Sequence, residues 1–320
     1  MSELEGRKDI ESEEYRPNKL SAKFHLLLGI LFFLGAGLLF TGLGSYICSY
    51  LAFGEFVDSS QLAGLGTRLI EHPLILKLYV FFTSSLPMIV AALLACIFIK
   101  ATPRDYLTLN KPQSGTWFGF SLLFVFISLP LMGFMLEINN LIDFSRWPEF
   151  YEWLQKTDSG SNKMYEAMIG KNSSRSFITS LLFMAALPAF AEEVLFRGFL
   201  MSAFHGIFRN IHVAILVTAL LFSLLHLQFT KFIPMFFLAT VFGYAAYWSG
   251  TIWTSIIAHF INNALAVVQL HFVTDGSYKE ALEQGSGLPI VVNLFLVVGV
   301  ALLFAFINKK SNVKKPNFYV

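Results

Sequence analysis

Apolar residues along this chain run in blocks of roughly twenty rather than alternating with polar ones, the length a helix needs to cross a hydrocarbon core. Eight such blocks occur, at about Phe24–Tyr46, Pro73–Ile99, Thr116–Leu136, Phe177–Phe204, His212–Leu227, Phe232–Trp248, Thr251–Val273 and Leu288–Asn308. The pattern predicts an all-α bundle of about eight transmembrane helices spanning 24–308, with tails at 1–23 and 309–320. Short connections between the later blocks make those helices antiparallel neighbours. No internal repeat or second domain is visible.

The stretch from about Glu137 to Arg175 breaks this rhythm. Phe144, Trp147, Phe150, Tyr151, Trp153 and Leu154 stand there among Glu149, Glu152 and Lys156. It reads as an amphipathic helix at the membrane surface, where aromatic rings prefer to sit; a gate over a site is the other reading. Gly35, Gly37, Gly42 and Gly44 in the first block permit close helix approach and are read as packing positions.

Composition sharpens the class. Of 320 residues, 55% are hydrophobic and 14% charged, against about 25% charged in soluble domains, so the chain is a polytopic membrane protein with the lipid bilayer as its first partner. A net charge of +2 and the lack of a long basic run exclude nucleic acid as a partner. Cys48 and Cys96 lie far apart inside apolar blocks and are read as packing residues. The start of the chain mixes acids with bases and its first block exceeds a signal-peptide core, so the block is expected to stay as an anchor. Lys and Arg concentrate in both tails and in the Lys100–Lys111 loop, favouring a cytoplasmic side for both tails. Arg146, Lys156, Lys163, Lys171 and Arg175 argue the other way, though neighbouring acids balance them.

Three blocks carry groups that lipid does not tolerate. The fourth contains Glu192, Glu193 and Arg197, where an ionised side chain costs at least ~2.5 kcal/mol even on insertion scales. Glu193 and Arg197 are four apart, the favourable order for a helical ion pair. Glu192 points about 100° away and is left without a local partner. The fifth block carries His226 after Phe222, and the seventh carries His259, Asn262 and Asn263, with His259 and Asn263 on one face. If the turn between the fourth and fifth helices is centred near Arg209, Glu192 and His226 are equally distant from it and lie at one depth. By the same count His259 comes out shallower, because it follows the Ser249–Gly250 turn closely.

Each piece has a plain reading: a packing His, an interhelical polar contact, or an acid in a proton relay. Together they describe amide hydrolysis. Neutral imidazoles hold zinc, whose bound water has a pKa of about 7. A buried carboxylate suits a general base, and a carboxamide donates to the oxyanion of a tetrahedral intermediate. No soluble zinc-protease helix with two His flanking a Glu is present. His205, His212 and His271 are read as interfacial. A transporter would carry broken helices in matching halves, and only Pro188 and Pro234 hint at breaks.

In Glu192-Glu193-x-x-x-Arg197, Phe222-x-x-x-His226 and His259-x-x-x-Asn263, extended by Phe196-Arg197-Gly198, the chain resembles the CPBP family of intramembrane proteases over about 177–273. That family includes CAAX prenyl endopeptidases of the Rce1 type and bacterial Abi, or bacteriocin-immunity, relatives. The first three spans and the last match it only in being hydrophobic. The resemblance implies an intramembrane endopeptidase of the metalloprotease class, acting on a membrane-associated protein or peptide from a bacterial cell membrane. Glu192 is then the base that activates water, His226 and His259 hold the water or a divalent metal such as zinc, Asn263 serves the oxyanion, and Glu193 with Arg197 braces the site. A metal-free glutamate mechanism stays open, and so does a non-catalytic scaffold or immunity-type protein.

Overall fold

The computed structural model describes residues 21–58, 60–112, 114–169, 174–272 and 288–310. Most of both tails, with the charges counted there for orientation, lies outside the described residues, as do Lys171 and Val273. Among the described residues every regular element is helical. Helix α1 covers Ala22–Phe53, α2 Pro73–Phe98, α3 Gly115–Ser128, α4 Leu131–Asn139 and α5 Pro148–Ile169. They are followed by α6 at Ser174–Phe208, α7 at Ile211–Leu225, α8 at Phe232–Ser249, α9 at Trp253–Phe272 and α10 at Ile290–Lys310.

All eight predicted blocks are helical, and the chain is an integral, multi-pass membrane protein. Among the described residues six helices are long and apolar enough to cross a bilayer. The remaining two blocks depart from simple spans. In the third, α3 and α4 meet at a 48° bend, because Pro130 lacks an N–H and its ring blocks the preceding turn. In the fifth, α7 has 15 residues, roughly 22 Å of helix against a hydrocarbon core of about 30 Å. It packs between α6 and α8 and ends at the site.

Helix α1 lies on α2, where a Cβ at Gly44 would stand 2.5 Å from Phe82 Cβ. Gly35, Gly37 and Gly42 face open space. Packing therefore uses one of the four glycines singled out, since most of this helix turns away from its neighbours.

Two connections set the geometry of the interior. The α8–α9 turn is sunk into the protein: Ser249, Thr251 and Ile252 are buried. Its polar groups are satisfied by the segment after α2, with Thr251 Oγ1 donating to Asn110 O at 2.8 Å, Ile252 N to Thr108 O at 3.1 Å and Trp253 Nε1 to Leu109 O at 3.0 Å. The segment after His226 is clamped by buried Asn139, whose Nδ2 donates to Thr230 O at 2.9 Å while its Oδ1 accepts from Ile233 N at 2.9 Å.

Amphipathic α5 forms where an amphipathic helix was expected, and it packs onto the bundle. Phe150 and Trp153 meet Phe229, with ring centroids 5.6 and 6.2 Å apart. Thr230 Oγ1 donates to Asp158 Oδ2 at 2.6 Å. At its far end Met168 and Ile169 join a cluster with Met184 of α6 and Val267 of α9. The last carbonyls, which a helix end leaves without partners, accept from Ser176 and Ser180 at the start of α6.

Candidate active site

The two acids sit in a short α-helical piece, Leu187–Glu193, between π-helical turns at Leu181–Ala186 and Val194–Leu200. Pro188 has no N–H to return to the preceding turn, and widened turns absorb that loss without ending the helix. Such turns recur at functional sites. Helix α6 stops at Arg209, which adopts a left-handed conformation (φ 54°), and Asn210 caps α7 by accepting from His212 N at 2.9 Å. The hairpin turn is thus where the residue count assumed it.

Glu193 and Arg197 form the expected pair in full burial, with Nη1 donating to Oε1 at 2.8 Å and exposures of 0% and 1%. Arg197 Nη2 donates to Ala239 O of α8 at 2.9 Å. Its guanidinium lies 5.0 Å from the Phe222 ring centroid and 5.7 Å from that of Phe242. The pair therefore joins α6, α7 and α8 around one charge. Phe222 also explains its own motif: its ring lies 4.3 Å from the His226 ring, holding the imidazole in place.

The same carboxylate orients a histidine. His259 Nδ1 donates to Glu193 Oε1 at 2.9 Å, and His226 Nδ1 donates to Phe222 O at 2.8 Å. Both acceptors can only accept, so each neutral ring carries its proton on Nδ1 and a lone pair on Nε2. The two Nε2 atoms converge on Glu192: 3.9 Å from Oε2 for His226 and 3.7 Å for His259. Glu192 Oε2 accepts no hydrogen bond among the described residues. His226 and Glu192 keep 29% and 12% side-chain exposure, so the convergence point is not sealed within the protein.

The expected shallower depth of His259 does not hold. Because the α8–α9 turn is sunk against Thr108–Asn110, α9 starts deep and brings His259 level with Glu192. Asn263 lies one turn further along the same face, its Oδ1 accepting from Asn262 Nδ2 at 3.3 Å. Among the described residues no group of three or more His, Cys, Asp or Glu side chains is spaced to hold a metal ion. His212, read as interfacial, is exposed, and its ring hydrogen bonds Tyr244 Oη at 2.9 Å. His271, expected at the interface, is buried against Phe177.

Residues 174–265, which contain all three motifs, match the family model described as Type II CAAX prenyl endopeptidase Rce1-like. This segment is similar to the Rce1-like family. The uncharacterized protein YpbD of Bacillus subtilis (strain 168) is 27% identical to the chain over 195 residues, covering 59% of this chain and 87% of that one. No solved structure matches. The likeness to a CAAX prenyl endopeptidase model is confined to these 92 of 320 residues.

Sequence reasoning missed three parts of the Rce1-like segment's surroundings. Phe242, 5.2 Å from the His259 ring, and Ala239 carry no signal in an apolar helix. Asn139 does, as a carboxamide at the end of a hydrophobic block. Gly198 of the Phe-Arg-Gly extension is explained by contact rather than chemistry: a Cβ there would lie 3.2 Å from both Cβ and O of Leu107. Gly198→Ala is expected to lower stability by about 1–3 kcal/mol, read as a lower thermal midpoint in detergent.

Proposed function

We propose that the protein is an intramembrane endopeptidase that hydrolyses a peptide bond of a membrane-associated protein or peptide with water activated by Glu192. The observation that carries this reading is the convergence of two imidazole lone pairs on the unpaired oxygen of Glu192, each ring fixed from behind through Nδ1. A water there donates one proton to Glu192 and lies beside both Nε2 atoms. Glu192 takes the proton as the water oxygen attacks the carbonyl carbon. The oxyanion receives a hydrogen bond from Asn263 Nδ2, and Glu192 returns the proton to the leaving nitrogen as the C–N bond breaks. Glu193 and Arg197 do not touch the substrate; they hold the His259 ring in its tautomer. The test is cleavage of a peptide library by the protein in liposomes, parent against Glu192→Gln; equal cleavage by both would sink the reading.

These donors are not spaced as a metal site in this arrangement, but a small closing movement would let them take a divalent metal. Two ligands at about 2.1 Å and a tetrahedral angle stand ~3.4 Å apart, a few tenths of an ångström closer than the Nε2–Oε2 separations. His226 and His259 would hold such an ion through Nε2, with Glu193 and the Phe222 carbonyl as the supports behind each ring that metal-bound imidazoles ordinarily have. A bound zinc would lower the pKa of its water toward about 7. The expected result of elemental mass spectrometry on detergent-purified protein is about one zinc per chain, lost in the His226→Ala, His259→Ala double variant. A metal-free parent that still cleaves would assign the water wholly to Glu192 and the two imidazoles.

A further inference from the structure

Helix α5 brings one more polar group to this site. Two contacts and the helical period locate it. Asp158 of α5 is bonded to Thr230, four residues beyond His226. Met168 and Ile169 of α5 pack with Met184 and Val267, each eight residues along its helix from Glu192 or His259. At 100° per residue Tyr165 lies about 20° from Asp158 and about 40° and 60° from Ile169 and Met168 around the helix. It therefore belongs to the face that α5 turns toward α6 and α9, between the two points where α5 is fastened.

The surroundings of the hydroxyl agree with that placement. Tyr165 remains 45% exposed on this inward face, and the Glu192 charge reaches its phenol. Exposure on the face a helix turns toward the bundle is what a residue lining a cleft shows. Burial first, and the Glu192 charge second, raise the phenol pKa above its ordinary value, so the group stays protonated and keeps its donor. Glu192 Oε2 does not accept that donor.

We infer that Tyr165 is a catalytic residue of this site, its hydroxyl donating a hydrogen bond to the carbonyl oxygen of the scissile peptide as that oxygen gains negative charge. This rests on the hydrolytic reading above. Water adds across the carbonyl with its proton passing to Glu192; the oxyanion is held by Tyr165 from α5 and Asn263 from α9. Collapse then breaks the C–N bond, with the proton on Glu192 leaving on the amine. The phenol keeps its proton throughout.

The test uses full-length protein in liposomes and a peptide library carrying one terminal acyl chain, with cleavage read by mass spectrometry and kinetics taken on the best-cleaved member. Tyr165→Phe keeps the ring and its packing. Its kcat should fall by about 10²–10³-fold, with KM within about twofold and an unchanged thermal midpoint, while Glu192→Gln is inactive. If the parent cleaves, Glu192→Gln does not, and Tyr165→Phe stays within threefold of the parent, the Tyr165 assignment is overturned and the hydrolytic reading stands. An equal loss in KM and thermal midpoint with kcat preserved also overturns it, by assigning Tyr165 to packing. If Glu192→Gln cleaves as the parent does, the reading beneath it fails too.

Discussion

Glu192→Gln is expected to lower kcat by about 10²–10⁴-fold while leaving the thermal midpoint in detergent within a degree or so of the parent. The substitution is nearly isosteric, and Glu192 Oε2 has no hydrogen bond among the described residues to lose. What disappears is the capacity to take a proton from water and return it to the leaving nitrogen. Substrate affinity should barely move, because the carboxylate acts on water rather than on the peptide. A parallel loss of folded protein would show instead that Glu192 is a structural group and would favour a non-catalytic scaffold.

Arg197→Met should do the opposite, acting first on stability. It strands Glu193, which is wholly buried, and frees the Ala239 carbonyl and two aromatic faces. Breaking a buried pair by removing one partner costs about 3–5 kcal/mol, enough to abolish accumulation of a marginal protein. Replacing both members is milder, since an apolar pair of similar volume often matches a buried ion pair. The double variant Glu193→Met, Arg197→Met is therefore expected to recover most of the thermal midpoint. Cleavage should not recover, because His259 Nδ1 loses its acceptor and its Nε2 lone pair is no longer fixed toward Glu192. Activity in that double variant would show that the pair serves folding alone.

The eight apolar blocks and the three polar clusters were legible because both signals are local. A run of twenty apolar residues and a spacing of four each carry their meaning within a few turns of helix. The match in depth of Glu192 and His226 was legible for the same reason, since a hairpin obeys residue counting when its turn is tight, and Arg209–Asn210 makes it so. His259 escaped that arithmetic because counting assumes turns at the surface, whereas the α8–α9 turn finds its partners on a segment more than 130 residues away in sequence. Tyr165 was hidden by its setting. In an amphipathic stretch rich in Trp, Phe and Tyr, one more aromatic suggests anchoring, and only the two ends at which α5 is fastened reveal which way it faces.

The contact between Thr251 and the Thr108–Asn110 segment makes the N-terminal half a depth gauge for the catalytic half. The motifs all fall between Glu192 and Asn263, yet the level at which His259 meets Glu192 is set by where the connection after α2 comes to rest. A fragment trimmed to the Rce1-like segment would keep every motif and lose the stop against which α9 is seated. Lengthening the connection before Thr108 by a single residue is a way to move one histidine along the membrane normal without touching any group that does chemistry.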